Sequence, residues 1–211
     1  MPPRNERRRF TMTHISVLLV ILVLLGLMIP AIHGPSRGIK TEALNDETQF
    51  VTAINAFYTD YGYYPCEKNN GDDSKDYFAN GGPDEAKLLN ILRANENDAS
   101  VTKFNPKHTI YLDVPMARDR DHPMSGIGPD GVWYDPWGNP YLVKIDSNYK
   151  GTVLNPYSAN AGIPKLPDGV IVWSLGPDGK GATSATGNGD RNTGFNRDDV
   201  LSWSLTWHLV H

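Results

Sequence analysis

Phe50-Val51-Thr52-Ala53-Ile54-Asn55-Ala56-Phe57-Tyr58-Thr59-Asp60-Tyr61-Gly62-Tyr63-Tyr64-Pro65 decides how this chain folds. Phe50, Ala53, Ile54 and Phe57 recur at i, i+3, i+4 and i+7, which predicts a helix with one apolar face. Gly62 and Pro65 punctuate its end. Such a stripe needs a partner layer to cover it. The candidates for that layer lie downstream. Thr109–Val114, Pro140–Ile145 and Gly169–Ser174 read as short strands. Leu201, Trp203, Leu205, Trp207 and Leu209 alternate with Ser202, Ser204, Thr206 and His208, the period of a strand with one buried face. One long helix followed by several strands predicts an α+β roll, the helix lying across an antiparallel sheet.

Between helix and strands, Asn69–Asp73 and Asn80–Pro83 read as loops. A short helix is expected from Asp84 to Asn95 with Leu88, Leu89, Ile91 and Leu92 buried. Acidic residues open this helix and Arg93 closes it, as the helix dipole favours.

Upstream of the amphipathic helix, residues 10–33 carry no Lys, Arg, Asp or Glu. Ile15 to Ile32 is a run of about 18 mostly apolar residues, close to what a helix needs to cross a bilayer. It is longer than the apolar core of a secretory signal, and Pro30-Ala31-Ile32-His33-Gly34 offers no small-x-small cleavage pair. Pro30 sits where it would kink a helix. Residues 1–40 hold six basic residues against Glu6, about +5, which leaves about −9 on the remainder of a chain of net charge −4. Basic residues before the run place the N-terminus in the cytoplasm and export the body. An acidic body argues against nucleic acid as a partner and suits a hard cation. The single cysteine, Cys66, excludes an internal disulfide. It reads as a small half-buried side chain, with pairing between chains or a free thiol as the alternatives.

Leu175-Gly176-Pro177-Asp178-Gly179 leads into Gly187–Gly194 and then Arg197-Asp198-Asp199. Loops of Asp, Asn and Gly present many oxygens, and Ca²⁺ takes six to eight. The spacing is not that of an EF-hand, so composition leaves both an ion site and a solvated loop open. His208 and His211 are too few for a metal site. No nucleophile elbow, zinc-protease helix or phosphate loop is present, so the chain reads as a non-enzyme. An exported hydrolase using an unselected carboxylate pair is the alternative. Arg118-Asp119-Arg120-Asp121-His122 reads as a solvated loop or a surface contact.

Three ordered stretches resemble a known family. Ala56–Pro65 is similar to the helix end of the major pseudopilin of type II secretion. Asp135-Pro136-Trp137-Gly138-Asn139-Pro140-Tyr141 resembles that family's central motif. Trp173–Gly179 with Asp198-Asp199-Val200 and Trp203 resembles its closing section. Arg7–His14 also resembles the prepilin leader of type IV pilins. It departs at Arg9, where the family has Gly, and at His14, where it has Glu. The resemblance implies a type IV pilin-like roll and a filament subunit for protein export. It implies a basic leader at 1–9, a membrane and assembly helix at 10–35 and its amphipathic continuation at 36–65. A head at 66–211 follows, with a calcium loop near 175–199.

The carried-over roles are ligation of Ca²⁺ by the Leu175 carbonyl, Asp178, Asp190, Asn192 and Asp199. Processing would fall between Arg9 and Phe10, with methylation of Phe10, and assembly contacts at His14 and Pro30. The implied partners are sister copies in a helical filament, other pseudopilins, inner-membrane secretion components and the membrane itself. The head would be periplasmic on a single inner-membrane span. Against this family, 68–84, 84–95 and 115–130 read as insertions and Trp137 as a core side chain capping the sheet. The alternative is a membrane-anchored binding protein that does not polymerise.

Overall fold

A computed structural model describes residues 35–67, 76–158, 164–183, 189–190 and 194–203. Residues 1–39 and 40–211 form two separate units, and the core lies wholly in the second. The apolar run at 15–32, Arg9, Phe10, His14, Pro30, Asn192, His208 and His211 lie outside the described residues. Among the described residues, no helix is long and apolar enough to cross a membrane.

Helix α1 spans Pro35–Tyr61 and ends just before Gly62. Its stripe is fully used: Phe50, Ala53, Ile54 and Phe57 are all buried. The layer that covers them is α+β in character. A four-stranded antiparallel sheet runs in the order β1-β4-β7-β8, with β1 at Tyr77–Asn80, β4 at Leu142–Ile145, β7 at Val170–Ser174 and β8 at Val200–Leu201. Trp133 and Tyr141 bridge helix and sheet. Their rings lie 5.3 Å apart, and Trp133 meets Phe50 at 5.4 Å.

The two central strands are buried on both faces, which is why they read as continuous apolar runs rather than alternations. Val143, Ile145, Val170 and Val172 face the helix-side core. Leu142, Ile171 and Trp173 face a second core with Leu201, Trp203, Tyr157 and Leu166. That second core is closed by a small hairpin, β5 (Val153–Leu154) with β6 (Lys165–Leu166). Lys144 of β4 is also buried. Its Nζ donates to the Leu154 carbonyl at 3.3 Å, and burial pulls its pKa down to about 8.

Helix α2 spans Gly82–Leu92 and buries Leu88, Leu89, Ile91 and Leu92 as expected. Helix α3, Ala99–Phe104, starts at Asp98, whose Oδ1 accepts from the Ser100 amide at 2.8 Å. A second hairpin pairs β2 (Gly126–Ile127) with β3 (Trp133–Tyr134) around the turn Gly128-Pro129-Asp130-Gly131.

Four expectations are corrected. Thr109–Val114 is not a strand. Leu112 and Val114 are buried but Ile110, on the same face of a would-be strand, is exposed, and the Tyr111 and Leu112 amides donate to the Leu92 carbonyl at the end of α2. The segment therefore seals a helix end instead of joining the sheet. The stretch 80–83 is not a loop throughout, since Asn80 ends edge strand β1 against β4 and Gly82 and Pro83 open α2. The last strand is described only at Val200–Leu201, with a turn at Ser202 and Trp203, and its predicted continuation past Trp203 lies outside the described residues. Trp137 is half-exposed, and the tryptophan of this stretch that enters the core is Trp133.

Candidate functional site

Two of the three stretches singled out in the sequence, 135–141 and 173–179, meet in space. β3 runs into Asp135, whose buried carboxylate organises the turn to β4. Its Oδ1 accepts from the amides of Trp137 at 2.9 Å and Asn139 at 2.8 Å. Its Oδ2 accepts from the Ser174 hydroxyl at 2.5 Å, at the end of β7. Asn139 reaches the same place from its own side, its Nδ2 donating to the Gly176 carbonyl at 2.7 Å. A local Asx-type turn and a loop that follows the neighbouring strand are thus clasped by side chains on both.

Helix α1 closes the clasp. The Ser174 amide donates to Glu47 Oε1 at 3.1 Å, and the Tyr141 hydroxyl donates to Asp46 Oδ2 at 2.9 Å. Glu47 and Asp135 are buried, as is Ser174 between them. Burial raises the Asp46 carboxyl to about 6, helped by the charges of Glu42 and Asp135 and opposed by the Tyr141 hydrogen bond. Burial also raises Asp135, against the hydrogen bonds it accepts.

Past Ser174 the chain turns through Leu175 into a 3-10 turn at Gly176–Asp178. Gly176 has φ 64°, and a Cβ there would lie 2.6 Å from the Asp198 carbonyl oxygen. Gly179 has φ 63°, and its Cβ would lie 2.7 Å from Asn139 Oδ1. Both glycines are needed for backbone conformation and for room. The Asp198–Asp199 end of the loop therefore packs directly on its beginning.

The residues expected to hold Ca²⁺ stand as follows. Leu175 is buried at the start of the 3-10 turn. Asp178 is exposed, with Oδ1 accepting from the Lys180 amide at 2.9 Å. Asp190 is half-buried, and its main-chain carbonyl accepts from Asn196 Nδ2. Asp199 is buried, and its Oδ2 accepts from the Tyr157 hydroxyl. That bond ties the loop to the 155–158 turn. Among the described residues, no three His, Cys, Asp or Glu side chains converge as a metal cluster.

One residue was passed over. Asp198 Oδ1 is buried and has no hydrogen-bond partner, and Asp198 Oδ2 lies 3.3 Å from where a Gly176 Cβ would be. An uncompensated buried carboxylate oxygen is costly and suits a cation. The Asp198-Asp199 doublet was visible in the sequence, and both side chains approach the loop, Asp199 Oδ2 lying 2.6 Å from where a Gly181 Cβ would be. Carboxylate and carbonyl oxygens of this kind are the donor type that Ca²⁺ takes.

The remaining candidates are quiet. Cys66 is half-buried and burial pushes its thiol up to about 12, as suits a packed and unreactive side chain. The Arg118–His122 stretch is exposed, with Asp119 Oδ1 accepting from the amides of Asp121 and His122.

The chain matches no protein-family model, no curated protein and no solved structure.

Proposed function

We propose that this chain is a structural subunit of a pilus-like filament, most like the major pseudopilin of type II secretion. In this reading the apolar run at 10–33 anchors the subunit in the inner membrane and packs against sister copies in a central bundle. Each copy contacts the next head to tail without closing a ring, so the contact propagates as a helical fibre. The α+β body is a type IV pilin-like roll that decorates the outside and supports protein export. No catalytic step is assigned to it.

The observation that carries this reading is the clasp. Two motifs picked out in the sequence by their likeness to one family, 135–141 and 173–179, hold each other through Asp135–Ser174 and Asn139–Gly176. Both are fastened to the helix by Glu47 and Asp46. Motifs that are merely similar in composition have no reason to interlock on the element that would carry the filament.

Calcium belongs to the same proposal. The residues that would hold it are the Leu175 carbonyl, Asp178 and Asp198, with Asp190 and Asn192 from the far side of the loop. Asp199 is left to tie the loop to Tyr157. When bound, the ion would neutralise the clustered carboxylates and order a loop that is otherwise costly to fix.

Arg9 and His14 favour a second reading, a membrane-anchored binding protein that does not polymerise. In the family, the glutamate at the position of His14 neutralises a neighbour's free amine, and His14 brings no negative charge. Mass spectrometry of the mature N-terminus separates the two. A chain beginning at methylated Phe10 is expected for the filament subunit, and an intact Met1 supports the anchored protein.

A further inference from the structure

The β5–β6 hairpin is held down by a charge that is itself out of water. Leu154 of β5 is gripped at both of its main-chain groups. Its amide donates to Asp76 Oδ2 at 3.1 Å, and its carbonyl accepts from Lys144 Nζ at 3.3 Å. Asp76 leads into edge strand β1, and Lys144 stands opposite Phe78 in the β1–β4 pairing. The hairpin supplies Val153 and Leu166 to the second core, against Leu142, Ile171 and Trp173. Beneath it, Lys144 is 1% exposed, and its Nζ lies 5.7 Å from the Phe78 ring centroid.

Lysine has a long flexible stem, so a small lift of the covering layer returns its ammonium to water. The sheet itself gives no such relief, because β4 is paired on both sides, with β1 and β7. The hairpin is the weaker element: its two strands pair over two residues each, and short pairings open first. Of the other charged groups on the surrounding elements, Asp146 accepts from the Gly151 amide at 2.6 Å and Asp199 from the Tyr157 hydroxyl, while Lys165 is exposed and Asp168 half-buried. Burial takes the Lys144 pKa from 10.5 to about 8, with the charge of Asp76 acting against that fall.

We propose that the β5–β6 hairpin is a pH-sensitive flap over the second core, which lifts to hydrate the Lys144 ammonium and seats firmly once that group is neutral. The sign follows from the proton. The closed hairpin holds it less tightly than the lifted one does. Closing is therefore weakest below about 8 and strengthens as the pH rises from there toward 10.5. The proposal is independent of the filament reading, because it concerns the packed head alone.

The test is amide hydrogen exchange of the full chain between pH 7 and 9.5, corrected for base catalysis. The reporter is the Asn155 amide, which donates to the Pro164 carbonyl at 3.0 Å across the hairpin. Its opening equilibrium is expected to fall about tenfold or more over that range, a fall that the β4–β7 ladder does not share. Glu85 cannot mimic this, because its titration weakens the fold as the pH rises. Lys144→Met keeps the unbranched stem without the charge, and is expected to abolish the pH step. Lys144→Arg stays charged throughout, and is expected to hold the opening at its level near pH 7. A wild-type Asn155 amide whose opening does not fall with pH overturns the proposal. So does a step of wild-type size in either variant.

Discussion

Glu85 is a carboxylate with no exposed surface, and its two oxygens serve two separate pieces of chain. Oε2 accepts from the Gly81 amide at 2.8 Å and Oε1 from the Trp133 amide at 3.2 Å. It thereby pins α2 to the β3 strand that carries Trp133. Burial outweighs those bonds and raises its pKa from 4.5 to about 8. The folded state therefore holds this proton more tightly than the unfolded chain does. Its contribution to stability is full below 4.5, declines as the pH rises, and is lost once the pH passes about 8. The swing is roughly 3–5 kcal/mol. Asp46 adds to the same slope between 3.8 and about 6. Urea unfolding of Glu85→Gln across this range should show most of the slope between pH 5 and 8 removed. At pH 5 the variant should be about 1–2 kcal/mol less stable, because an amide offers only one acceptor to the two N–H groups. An unchanged pH slope would show that Glu85 is not the group responsible.

At the scale of elements, α1 is held to the sheet by a short apolar stripe flanked by buried carboxylates. Phe57 is the outermost large member, packed against Tyr61 at 4.6 Å and Tyr111 at 5.2 Å. Phe57→Ala should cost about 3–5 kcal/mol, a fall in the unfolding midpoint on the order of 10 °C for a chain of this size. A drop of a degree or two would mean that the helix end is not part of the cooperative core. The stripe, the stop at Gly62, and strands β4 and β7 could all be read in the sequence, because each is a strong local pattern whose partner supplies only burial. What could not be read depended on distant partners. β1 is four residues long and is a strand only because β4 offers it an edge. Tyr111 and Leu112 bond to a helix end rather than a strand, a choice that alternation does not encode. Trp133 and Trp137 stand four residues apart in similar company, and only the tertiary packing buries the first. The clasp was legible as two motifs but not as a contact, and Asp198 was legible as half of a doublet but not as a residue with a buried, unbonded oxygen.

At the scale of the molecule, the chain divides its chemistry unevenly: a basic, apolar front and an acidic α+β body. Calcium would act on the second part. A ligand that binds only the folded head stabilises it by mass action, about 2.7 kcal/mol at a hundredfold excess over its dissociation constant. Chelation should therefore lower the unfolding midpoint of the wild-type head. Asp178→Ala should begin lower in calcium and no longer respond to chelator. A wild-type midpoint indifferent to chelator would remove calcium from the account without touching the clasp. The front part carries the central claim, that the apolar run is kept so that sister copies bundle through it. Electron microscopy of material sheared from cells producing the full chain with its secretion partners tests this most directly. Helical filaments labelled by an antibody to the head are expected, and none when residues 10–33 are deleted. Chains that stay solitary in every lipid and salt condition, with that run clipped away, would contradict it.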